Sequence, residues 1–68
     1  MNEGEKRLCE FEYEMSGSFY THLFNAIMKA DGHNMARLSL AFPEEVEAVN
    51  RFRNEDGYWD KLQVEFTK

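Results

Sequence analysis

Apolar residues recur along the chain at helical intervals, and short polar clusters interrupt them. Ser16-Gly17-Ser18, Asp31-Gly32, Phe42-Pro43 and Asp56-Gly57 divide the sequence into five short pieces. In the first, residues 3–15, Leu8, Phe11 and Met15 fall at i, i+3 and i+7, one stripe of a helix. Cys9, Phe11 and Tyr13 also alternate with Glu10, Glu12 and Glu14 as in a strand, and the helix is the reading adopted. In the second piece Ser16 or Ser18 can cap a helix carrying Phe19, Leu23, Ile27 and Ala30, flanked by Tyr20, Phe24 and Met28. Gly32 is its expected stop. Asn34 is the expected cap of a third helix with Met35, Leu38 and Phe42 facing inward. Pro43 suits the first turn of a fourth, where its missing N–H is not needed. Glu44 and Glu45 follow at the positive end of the helix dipole, and Val46, Val49 and Phe52 form the apolar face. That helix should end around residues 54–57. In the tail, Trp59, Leu62 and Phe66 have helical spacing, while Leu62, Val64 and Phe66 alternate as a strand would; a helix agrees better with the neighbouring elements.

The pattern predicts an all-α fold, a compact bundle of four to five short helices in one domain spanning residues 1–68, with residues 1–15 the candidate for a more mobile N-terminal helix. A 68-residue chain has a modest core, for which apolar burial and ordering entropy nearly cancel. One cysteine allows no internal disulfide, and Cys9, His22 and His33 show no metal-ligand spacing. Self-association is therefore the expected stabiliser, favoured by the large apolar residues between 19 and 28. No apolar run is long enough to cross a membrane, and the polar N-terminal residues do not read as a secretory signal. A cytoplasmic protein is expected.

Charge changes the functional picture. Thirteen acidic residues against eight basic ones give a formal net charge of -5, which disfavours direct binding to nucleic acid. Catalysis has little support: Cys9 and His22 could form a thiolate–imidazole pair, but no orienting group or oxyanion loop accompanies them. No enzyme activity, cofactor or metal is expected. Asp31-Gly32-His33-Asn34 lacks the ligand alternation and terminal Glu of a calcium loop and reads as a helix stop and cap. Glu47 and Arg51 stand at i, i+4 in the orientation of a weak surface pair. The candidate binding set is polar and aromatic: Tyr20, Asn34, Arg37, Arg51, Asn54, Tyr58 and Trp59, with Arg53 nearby. Rings of this kind stack on nucleobases and arginine forks grip phosphates. The competing role for Tyr58 and Trp59 is to lock the tail onto the core.

Ser16-Gly17-Ser18-Phe19-Tyr20, Leu23-Phe24, Ala30-Asp31, Asn34, Leu38, Phe42-Pro43-Glu44-Glu45-Val46 and Gly57-Tyr58-Trp59 form a series. In this series the chain resembles a group of small uncharacterised proteins encoded by bacteriophages, prophages and mobile elements of gut bacteria and Firmicutes. The likeness covers about residues 15–62 and contains no catalytic signature, and the group has no settled activity, so no functional residue carries over. It implies an accessory protein acting in the bacterial host, a setting in which such proteins often counter host defence. The function expected is non-enzymatic: sequestration of a small nucleotide signal by a homo-oligomer. The alternative is an acidic inhibitor or adaptor of a host defence protein, DNA mimicry included, with Glu3, Glu5, Glu10, Glu12 and Glu14 as its stripe.

Overall fold

A computed structural model covering residues 1–68 contains five helices and no strand: α1 (Glu3–Glu12), α2 (Ser18–Lys29), α3 (Gly32–Ala41), α4 (Pro43–Asn54) and α5 (Tyr58–Phe66). The all-α reading holds, and the tail is a helix. Helix α4 is the hub. It contacts the other four, while α1, α4 and α5 also touch one another pairwise, α2 leans on α1 and α4, and α3 packs mainly on α4. Apolar side chains from four helices share one core: Leu8 and Cys9 from α1, Leu23, Phe24 and Ile27 from α2, Val46, Ala48 and Val49 from α4, Tyr58 and Leu62 from α5. The candidate for mobility, α1, thus contributes two side chains with no exposure at all.

One glycine fixes how closely α1 approaches α4. A Cβ on Gly4 would collide with the backbone carbonyl of Glu44 and the amide of Glu45. Only a residue without a side chain lets the first turn of α1 lie on the first turn of α4. Pro43 occupies the first position of α4 with Glu44 and Glu45 behind it, as the sequence predicts.

Other local expectations are corrected. Helix α1 stops at Glu12 because the chain turns back on itself. The amides of Glu14 and Met15 donate to the carbonyls of Phe11 and Glu10, a Schellman closure with Glu14 in the left-handed region at φ 58°. Met15 therefore leaves the stripe and is 66% exposed. Neither Ser16 nor Ser18 caps α2: Gly17 holds that position with no side-chain bond, leaving one serine before it and one after. Asp31, not Asn34, caps α3, its carboxylate accepting the Asn34 amide at 2.8 Å. Gly32 is consequently the first residue of α3 rather than the stop of α2. Met35, Leu38 and Phe42 do pack against the core but remain half-exposed, and α3 has no buried residue.

The apolar excess of residues 19–28 is mostly spent inside, on Leu23, Phe24 and Ile27, while Phe19 stays 59% exposed. The accessible surface of 4500 Å² equals the roughly 4,500 Å² expected of a folded monomer of this mass.

Candidate functional site

Two of the candidate residues, Arg51 and Tyr58, meet where α1, α4 and α5 come together. At the start of α1, Asn2 and Glu5 form a reciprocal capping box: the Glu5 amide donates to Asn2 Oδ1 at 2.7 Å and the Asn2 amide to Glu5 Oε1 at 3.0 Å. The other carboxylate oxygen of Glu5 accepts the Tyr58 hydroxyl at 2.9 Å. Arg51 lies with its guanidinium carbon 4.3 Å from the centre of the Tyr58 ring. It donates to both oxygens of Glu55 at 3.0 Å and stands 3.9 Å from Glu5.

The electrostatics follow from that geometry. Burial pushes the Glu5 carboxyl up, but the Asn2 amide, the Tyr58 hydroxyl and Arg51 together outweigh it and hold the pKa below the usual value. Burial and then the Glu5 carboxylate push the Tyr58 phenol well above the ordinary tyrosine range. The bond to Glu55 raises the already high pKa of Arg51. Arg51 is therefore a permanent cation held by two carboxylates. Its partner is Glu55 rather than the expected Glu47. Both glutamates lie within reach of α4, and Glu55, just past its end, is the one engaged.

Arg51 and Asn54 also share an open groove of about 760 Å³ along the outer side of α4, lined further by Ser39, Pro43, Val46, Glu47, Asn50 and Glu55. Its single cation faces two carboxylates. The remaining candidates lie elsewhere. Tyr20 is half-buried on α2 and covered by Arg7, whose guanidinium carbon is 4.5 Å from its ring centre and which is paired to Glu3 at 2.7 Å and Glu10 at 3.2 Å. Trp59 packs edge-on against Phe52 at 5.3 Å between ring centres and lies 6.2 Å from Tyr13. Asn34 and Arg37 are exposed on α3. Arg53 donates to the Met28 carbonyl, closing the C-terminal turn of α2.

The structure thus joins Arg51 with Tyr58 and with Asn54, and separates them from Tyr20, Asn34 and Arg37. Each of the three aromatic platforms already has an internal partner on the ring: Arg7 on Tyr20, Arg51 on Tyr58, Phe52 on Trp59. Sequence reasoning omitted Glu5, Glu55 and Arg7 from this set. The Asn2-x-x-Glu5 capping signature and the i, i+4 spacings Glu3–Arg7 and Arg51–Glu55 are legible signals, but nothing local ties Glu5 to Tyr58.

Cys9 has no exposure, and burial raises its thiol to about 11, so the nucleophilic thiolate is disfavoured. His22, its suggested partner, is exposed on α2.

Charge is also segregated by element. Residues 16–42 hold a single acid, Asp31, against Lys29 and Arg37, a formal +1. The segments bearing α1, α4 and α5 hold twelve acids against six bases, a formal -6, and the two parts make up the chain's -5. Of those twelve, Glu3, Glu12, Glu14, Glu44, Glu47, Glu55, Asp56, Asp60 and Glu65 are exposed. No family model, curated protein or solved structure matches the chain.

Proposed function

We propose that this is a non-enzymatic binding protein whose acidic unit, α1, α4 and α5, docks on the basic surface of another protein. The resemblance to phage and prophage proteins suggests a host defence protein as the target and the bacterial cytoplasm as the place. The observation that carries the reading is the segregation of charge: twelve of thirteen acids lie on three mutually contacting helices or within two residues of their ends. Nine exposed carboxylates create a field that attracts a cationic groove and speeds encounter. Such a surface competes with a phosphate backbone for the same lysines and arginines.

Competition is the direct test. A labelled duplex bound to each of a panel of basic, DNA-binding defence nucleases is titrated with the protein at two salt concentrations. Displacement that weakens sharply as salt rises is expected, with Glu47→Lys and Asp60→Lys each reducing it and Lys29→Glu leaving it intact. Failure to displace the duplex from any member at low salt, or displacement insensitive to both lysine variants, rejects the reading.

Sequestration of a nucleotide is the second reading, supported by the groove that Arg51 shares with Asn50 and Asn54. It needs Arg51 to exchange Glu55 for a phosphate, and a ligand must displace arginine from Tyr58 before stacking there. Calorimetry with cyclic dinucleotides, cyclic trinucleotides and ADP-ribose derivatives tests it. Binding lost in Arg51→Ala supports it, and no binding tighter than millimolar rejects it.

A further inference from the structure

A polar pocket opens between the end of α1 and the first turns of α2. It holds about 320 Å³ and is lined by Phe11, Glu14, Ser16, Thr21 and Asn25. The backbone builds it. The closure of α1, with Glu14 at φ 58° and the Met15 amide on the Glu10 carbonyl at 2.7 Å, brings Glu14 and Ser16 to the same pocket as Phe11. Thr21 and Asn25, one turn apart on α2, complete the lining. The Phe11 ring is braced by Phe24, 5.3 Å away between ring centres. We infer that this pocket receives an arginine side chain of the basic partner, with Glu14 pairing its guanidinium and Phe11 supplying the aromatic wall.

The rest of the molecule shows what such a combination holds. Twice the fold seats an arginine on an aromatic ring and pins it with carboxylates: Arg7 on Tyr20 with Glu3 and Glu10, and Arg51 on Tyr58 with Glu55 and Glu5. The Phe11 pocket offers ring and carboxylate again, without an arginine of its own. Arg7, one turn earlier on α1, is committed to Tyr20, and Glu14 takes part in none of the chain's ion pairs. Ser16 adds an independent sign. Its hydroxyl is the buried side-chain polar atom left without a hydrogen-bond partner. A donor seated in the pocket supplies that partner as the hydroxyl swings between rotamers.

Charge and shape select arginine. One carboxylate matches one unit of positive charge, and a guanidinium presents planar N–H donors to it in a two-point contact. The oxygens of Ser16, Thr21 and Asn25 accept donors that Glu14 leaves free. A lysine ammonium is a strongly hydrated point charge with no planar fork, and it gains less here. The pocket sits at the end of α1, so the acidic unit attracts a basic surface and the pocket chooses one side chain from it. The inference rests on the basic-partner reading for the source of the arginine, while the chemistry of the pocket is testable apart from it.

Backbone amide NMR of the full chain, titrated with Nα-acetylarginine amide, tests it, with the acetylated lysine and citrulline amides as comparisons. Arginine should shift residues 11–16, 21 and 25 above all others and saturate in the millimolar range. Lysine should bind more weakly and neutral citrulline not at all. Glu14→Gln should weaken arginine binding by about tenfold, the loss of a hydrogen bond between charged groups. Asn25→Ala should weaken it less, and Glu65→Gln, which removes the same charge from α5, less still. No saturable shift at these residues, shifts spread evenly over the acidic helices, equal binding of lysine, or Glu14→Gln no worse than Glu65→Gln overturns the inference. Displacement of duplex separates the two readings. If the parent displaces it and Glu14→Gln does so as well as Glu65→Gln, the pocket falls and the basic-partner reading stands. If nothing is displaced, that reading falls and the arginine titration still decides the pocket.

Discussion

Tyr58 and Glu5, fifty-three positions apart, are joined by a hydrogen bond of 2.9 Å from the phenol to a carboxylate whose other oxygen caps the start of α1. The pair ties the first helix to the last, and Arg51 of α4 roofs it by lying over the tyrosine ring. Three helices are thereby clasped at one end by one neutral and two charged side chains. In Tyr58→Phe the ring stays buried but the bond is lost. Glu5 keeps Asn2 and Arg51, so the expected cost is at the low end for a hydrogen bond to a charged group, about 1.5 kcal/mol. Urea denaturation measures it, and an unchanged midpoint would show that the bond contributes nothing.

The same cluster makes stability depend on pH at both extremes. The folded pKa of Glu5 is depressed, so its contribution is present above the ordinary carboxylate value and lost as pH falls through the lower folded one. Tyr58 and Cys9 are raised, Cys9 to about 11. Their contributions are complete below the ordinary phenol and thiol values and lost as pH climbs toward the folded ones. Denaturant midpoints taken from acid to strong alkali should form a plateau with two falling limbs. Glu5→Gln should flatten the acid limb and Tyr58→Phe the alkaline one. At neutral pH, a thiol reagent should label Cys9 only at the rate at which the protein opens.

Gly4→Ala should destabilise the protein although Ala is the better helix former. Propensity favours Ala by about 1 kcal/mol. The new Cβ, however, meets the backbone of Glu44 and Glu45, which cannot step aside as a side chain can. Forcing α1 away from α4 costs about 2 kcal/mol or more in net. Thermal denaturation decides the sign, and a rise in midpoint would show that the two helices separate freely.

Glu14→Gly should act in the opposite direction. Glu14 occupies the left-handed region at φ 58° to close α1, a conformation that costs a non-glycine residue about 1 kcal/mol. Glycine removes that cost and keeps both closing bonds, which belong to the backbone. An increase of that size in unfolding free energy is expected, and a decrease would mean that the Glu14 side chain holds the turn.

Trp59→Ala should cost about 2 kcal/mol, less than the 3–5 kcal/mol of a fully buried ring. The indole is half-buried, with its contacts on Phe52 and Tyr13. A loss of stability with displacement of duplex unchanged would fix Trp59 as a packing residue. Intact stability with lost binding would make it part of a docking surface.

What the sequence determined by itself is the set of helices and the residues that can face a core. Apolar spacing of three and four residues is a property of one segment, and Pro43, Glu44 and Glu45 mark the start of α4 without help from the rest of the chain. Helix ends were less legible because several residues could serve equally well. Asp31 and Asn34 both make good caps, and only the course of the backbone between α2 and α3 selected Asp31. The site depended most on tertiary structure. Arg37, Arg51 and Arg53 look alike in sequence, yet packing leaves Arg37 exposed, clasps Arg51 among Glu55, Glu5 and Tyr58, and turns Arg53 onto the end of α2. Periodicity says which side of a helix is wet. It does not say which other helix lies across from it, and that juxtaposition is what brought Glu5 to Tyr58 and left Phe19 beside Phe42 in the open.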